Sequence, residues 1–205
     1  MLEKYEDLNE MHMDVLREIG NIGSSNASTA LSSMIGREIK IQLPAVKILG
    51  FQAAIDHYGS PEDLIAAVLV RLKGNISGMI LLLINKAFAE VVLDIFFGKK
   101  EIDLMNLDEN EISALSEIGN IMGSSYMNAI ATLSGLNIGV EAPSFTADML
   151  GAVMSVPVIE FGEVGDKLLC IDKDILIDGV PLKSNMMLIP TVDSLSELFG
   201  KLGVL

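Results

Sequence analysis

Apolar residues at Met11, Val15, Leu16, Ile19, Ile22, Ala27, Ala30, Leu31 and Met34 recur at intervals of three and four. That is the period of a helix with one buried face, and Gly36 supplies its stop. From residue 39 the period becomes two, so IKIQLP (39–44) reads as a strand ending at a proline. IAAVLVRL (65–72) and ISGMILLLI (76–84) flank KGN as a hairpin, and KAFAEVVLDIFFG (86–98) reads as a helix stopped by Gly98.

The same order then begins again. Asp108 with Glu111 forms a capping-box pattern, the helix runs to Gly135, and IGVEAP (138–143) reads as a second strand ending at a proline. VPVIEF, KLLCI, DILIDG and NMMLIP read as strands, with Asp178-Gly179 as a hairpin turn and a closing helix near SLSELFGKL. TADMLGAVM (146–154) fits helix or strand equally well.

The recurrence extends to single letters. EIGNI stands at 18–22 and again at 117–121, and the register holds outward from there: Leu16 falls on Leu115, Ser25 on Ser124, Gly36 on Gly135 and Pro44 on Pro143. Asparagine and proline are 23 positions apart in both copies. A fixed register over this length indicates an internal duplication, with repeats at approximately 8–100 and 107–205 of a single domain. The predicted fold class is α+β, with the two repeated helices packed outside antiparallel sheet.

On the first helix, at about 100° per residue with Asp14 as zero, Glu18 falls at about 40°, Asn21 at about 340° and Ser25 at about 20°. The second copy places Ser113, Glu117, Asn120 and Ser124 at the same angles. A polar face is ordinary on an amphipathic helix, but neighbouring outward positions drifted between the copies: Arg17 became Ser116 and Ser28 became Met127. Glu and Asn did not drift. Asn is a mediocre helix former, and Gly20 and Gly119 beside it cost about 1 kcal/mol each relative to Ala. The glycines suit either a close approach by another molecule or close packing against another helix of the fold. The prolines read as architectural.

Composition narrows the chemistry. Fourteen Lys and Arg against 28 Asp and Glu give a net charge of −14, and no basic run is present, which argues against nucleic acid. The acidic start and the short longest apolar run, MILLLI, give no signal peptide or membrane span, so a cytoplasmic, soluble protein is expected. Cys170, the one cysteine, lies in an apolar run and reads as a buried, inert thiol. His12 and His57 read as ordinary surface histidines, the latter in a loop, DHYGSPED.

A carboxamide is neither a strong base nor a nucleophile, but it donates and accepts hydrogen bonds and so can hold a water at a set angle. In phosphoryl transfer, holding the attacking water in line is itself a catalytic contribution. A carboxylate can pair with a partner's cation and fix the docking register. Neither copy carries a phosphate loop, a metal-ligand cluster or a nucleophile dyad, so the remainder of any catalytic site must come from another protein.

The pattern Asp or Ser, three residues, Glu, two residues, Asn, twenty-two residues, Pro resembles the motif of the CheC, CheX and FliY family of chemotaxis phosphatases. It stands here as Asp14, Glu18, Asn21, Pro44 and as Ser113, Glu117, Asn120, Pro143. CheX-like members keep one such site, and FliY-like members add a switch domain for which no residues remain after Leu205, so the two-site CheC kind is the nearest likeness. The resemblance implies a phosphorylated CheY-type response regulator as substrate, carrying its own Mg2+, with no cofactor on this chain. It implies that Asn21 and Asn120 orient water and that Glu18 and Glu117 anchor to the regulator's lysine. Asp14, Ser25, Ser113 and Ser124 are then partner-facing, and the receptor deamidase CheD is implied as a second partner. A different class of function uses the same stripe: a non-enzymatic adaptor that binds the regulator or CheD and acts by sequestration.

Overall fold

The computed structural model describes Leu2, residues 4–161 and residues 167–205, with backbone alone for Leu43, Pro44, Phe161, Lys173 and Lys183. In chain order the elements are α1 (Glu10–Ile35), β1 (Ile39–Gly50), α2 (Phe51–Tyr58), β2 (Leu64–Gly74), β3 (Gly78–Ile84), α3 (Lys86–Phe97) and α4 (Glu109–Ser134). There follow β4 (Ile138–Val140), β5 (Ser144–Met149), α5 (Leu150–Phe161), β6 (Lys167–Ile177), β7 (Val180–Pro190) and α6 (Val192–Leu202).

The seven strands form one antiparallel sheet in the order β1-β6-β7-β3-β2, with β4 and β5 end to end along the far side of β2. Helices cover both faces. Ala66, Val68 and Val70 of β2, with Ile80 and Leu82 of β3, point to the core under α1, α3, α4 and α6. Their alternates Ala67, Leu69, Met79 and Leu81 point to a second core under α2 and α5. Burial on both faces explains why β2 and β3 read as continuous apolar runs. The fold class is α+β, as expected from the sequence.

Both motif helices are 26 residues long and closed at both ends. Asn9 Oδ1 accepts the His12 amide of α1, and Asp108 accepts the amides of Asn110 and Glu111 of α4 while Glu111 accepts that of Asp108. Gly36 and Gly135 end them in the left-handed region at φ 72° and 70°, which frees each chain to turn back to the sheet. The Asp178-Gly179 turn also has positive φ at both positions, the geometry of a tight hairpin between β6 and β7.

Several expectations need correction. VPVIEF lies in α5, with Pro157 inside the helix, rather than in a strand. β1 does not end at Pro44 but continues to Gly50, its pairing with β6 shifting register between Gln42 and Ala45. A register shift accommodates a residue with no N–H to give to the ladder. Only Val140 and its two predecessors form β4, and Pro143 separates it from β5.

His12 differs from expectation in burial, and His57, exposed as expected, differs in lying on a helix. His12 is buried in α1: Nδ1 accepts the Asn9 amide, Nε2 donates to the Val204 carbonyl at 2.9 Å, and the ring lies 4.4 Å from that of Phe199. It ties the start of α1 to the end of the described chain. His57 sits at the end of α2, not in a loop, with Nε2 2.9 Å from Asp172, which also pairs with Lys47 at 2.8 Å. That cluster fastens α2 to β1 and β6. Cys170 is buried as expected.

Candidate functional site

Asp14, Glu18, Asn21 and Ser25 are all exposed along one strip of α1, while Leu16, Ile19, Gly20, Gly23 and Ala27 are buried. The apolar residues set the helix on the sheet, and that placement alone turns the strip outward. Arg17, beside the strip, pairs with Asp14 at 2.5 Å and reaches Glu10 at 3.9 Å. The carboxylate at the first motif position is therefore already engaged within its own helix.

On α4, Ser113 and Glu117 are exposed, and Asn120 and Ser124 are partly covered. Asn120 Nδ2 donates to Glu117 Oε2 at 3.3 Å, the reach of neighbours three apart on a helix. The second pair is thus engaged with itself. Ser116, where the first copy has Arg17, carries no charge to pair with Ser113. The two strips share residue types but differ in which groups are already bonded.

Gly20 and Gly119 both point away from the strip into the core. A Cβ on Gly119 would stand 2.6 Å from Val68 Cβ, so this glycine lets α4 approach β2. Close packing within the fold, against a strand rather than a helix, explains the second glycine, and no approach by a partner is required. Pro143 is half-buried at the break between β4 and β5, whereas the side chain of Pro44 lies outside the described residues.

Sequence reasoning missed what surrounds Asn21. A cleft of about 400 Å³ runs between α1 and β1, lined by Asn21, Ser25, Ser28, Thr29, Lys40 and Gln42 among others. Ser28 and Ser32 accept the amides of Ile41 and Ile39 at 2.9 Å, so α1 covers the free edge of β1 with its hydroxyls. The signal was present as positions that differ between the copies, which a search for retained residues discards. Among the described residues no group of three or more His, Cys, Asp or Glu is placed to hold a metal ion, and no helix is long and apolar enough to cross a membrane.

The arrangement supplies hydrogen-bonding carboxamides and exposed carboxylates on helical surface, with an open cleft beside Asn21. Such groups can orient a water or a docking partner but enclose no substrate of their own.

Comparison with known proteins places these helices in context. The model of the CheC-like family matches residues 11–48 and 111–146, the two stretches that hold the strips. The chain is 32% identical over 203 residues to the CheY-P phosphatase CheC of Bacillus subtilis, covering 97% of each. It is 28% identical to the flagellar motor switch phosphatase FliY of the same organism over 69% of this chain and 37% of that one. The crystal structure of Thermotoga maritima FliY superposes with a TM-score of 0.76 at 23% identity, over 96% of this chain and 98% of that one, which establishes the shared fold. With the fold, both matched stretches and near full-length similarity in agreement, the chain belongs to the CheC-like family.

Proposed function

We propose that the protein hydrolyses the aspartyl phosphate of a CheY-type response regulator. The observation that carries this is the same outward-facing Glu-x-x-Asn pair on two capped helices, exposed in the first and with Asn120 partly covered in the second, in a chain with near full-length similarity to a protein named CheY-P phosphatase. In this reading Asn21 and Asn120 each hold a water in line with phosphorus. The water oxygen forms the new P–O bond, the bond to the aspartyl carboxylate oxygen breaks, and inorganic phosphate leaves. The regulator supplies the phosphoryl group and its Mg2+.

Glu18 and Glu117 anchor the regulator through its lysine, and Asp14, Ser25, Ser113 and Ser124 border the contact. Because the carboxamide takes no proton, its contribution is positional, about 2 to 4 kcal/mol of barrier or roughly 30- to 1,000-fold in rate. A second partner, the receptor deamidase CheD, is expected from the family resemblance alone. The lifetime of phosphoaspartate on a purified regulator, with and without the protein, tests the activity. Binding without a shortened lifetime would make the protein an adaptor that sequesters its partner.

A further inference from the structure

We infer that the two sites are unequal in docking: the cleft running from Asn21 to Lys40 receives an acidic stretch of the regulator beside its phosphoryl group, and the equivalent positions beside Asn120 are lined differently. The inference rests on the phosphatase reading of the stripes.

Charge is the first ground. In a chain of net charge −14, Lys40 faces Asn21 across the cleft from β1, while Arg17, one helical turn before Asn21, is already paired with Asp14. Lys40 is 63% exposed in its side chain and, among the described residues, pairs with the equally exposed Glu38 at 2.9 Å, a contact that a better anionic partner displaces at little cost. A phosphorylated surface is anionic where its phosphoryl group sits, so the exposed lysine across the cleft from Asn21 favours it.

Shape is the second ground. Position by position, the second copy replaces Arg17 by Ser116, Ser28 by Met127, Lys40 by Gly139 and Gln42 by Glu141. Met127 is buried, and the stem of Lys73 lies across Gly139, 3.1 and 3.2 Å from where a Cβ would stand. The Ser28 hydroxyl and the strand's own lysine in the first cleft are thus exchanged for a buried apolar side chain, a glycine covered by Lys73 of the neighbouring strand, and a carboxylate. The retained Glu and Asn perform the same step at both sites, and the divergent surroundings set how tightly each one holds its partner.

The test uses two full-length proteins, each with one site disabled: Glu117→Arg with Asn120→Ala leaves the first, and Glu18→Arg with Asn21→Ala leaves the second. Each is made with Lys40 and with Lys40→Glu, and its Kd for a beryllofluoride-loaded regulator is measured at low and high salt, alongside phosphoaspartate decay. Reversing one rim charge should weaken the first-site protein about tenfold and reduce its salt dependence, with less than about twofold change in the second-site protein. No change in the first-site protein, or equal changes in both, overturns the inference. If the first-site protein binds in a Lys40-dependent way while neither protein shortens the phosphoaspartate lifetime, the cleft stands and the phosphatase reading falls. If both hydrolyse and Lys40→Glu moves neither Kd, the cleft falls and the phosphatase reading stands.

Discussion

The Ser24 hydroxyl of α1 and the Tyr126 hydroxyl of α4 meet at 2.7 Å in the core, and this bond joins the two helices that carry the stripes. Beside it the Tyr126 ring lies flush on Gly23: a Cβ there would stand 2.8 Å from Cγ. The stripes are therefore held on a single rigid support.

Removing the bond and crowding the contact should act differently. Tyr126→Phe leaves the buried Ser24 hydroxyl without this partner and is expected to cost about 1 kcal/mol. Gly23→Ala drives a methyl into a ring that has no room to yield and should cost about 1 to 3 kcal/mol. Urea midpoints at constant m-value measure both. An unchanged midpoint for Gly23→Ala would contradict the packing described here.

Gly119 makes a sharper case. Gly119→Ala collides with Val68, and the expected loss is about 3 kcal/mol or more, unless α4 lifts from the sheet. Val68→Ala, which costs stability alone, should recover part of it in the double variant. A double-mutant cycle reads that coupling directly, and additive losses would rule out the contact.

Alkaline pH should destabilise the fold. Burial pushes the Cys170 thiol from its usual 9.0 up to about 11 and the Tyr126 hydroxyl from 10.0 up to about 12, and raises Tyr5 and Tyr58 as well. Between pH 9.0 and about 11 the unfolded chain releases its thiol proton while the folded chain keeps it. The unfolded state then binds fewer protons, so stability falls as pH rises, by about 1 kcal/mol per pH unit for each such group. Denaturation at stepped pH checks the slope. At neutral pH the thiol should stay inert to an aromatic disulfide reagent until denaturant is added, and prompt reaction would contradict its burial.

The two long helices were legible because the local signals agreed: the apolar period and glycine stops of both, and the Asp108–Glu111 capping box of the second, fell where the structure has them, while the Asn9 cap of the first went unread. α5 was not, because VPVIEF is rich in β-branched residues and its helix is apolar all round, so no period distinguishes helix from strand. α2 buries only Ala54 and Ile55, too few positions to show a period. Helical angle alone would have placed Gly20 on the apolar side, since it follows Ile19 into the core. His12 looked exposed because its neighbours are polar, and its burial depends on Val204 and Phe199, almost two hundred residues away. The Glu and Asn strip needed no tertiary information, whereas the cleft beside Asn21 depends on where β1 returns along α1.

The central claim is that Asn21 and Asn120 each hold the attacking water. Its most direct measurement is the decay of phosphoaspartate on a purified CheY-type regulator with the wild-type protein, Asn21→Ala, Asn120→Ala and the double variant. The expected result is faster decay that survives either single change and falls by roughly 30- to 1,000-fold in the double. A double variant that accelerates decay as well as the wild type would contradict it.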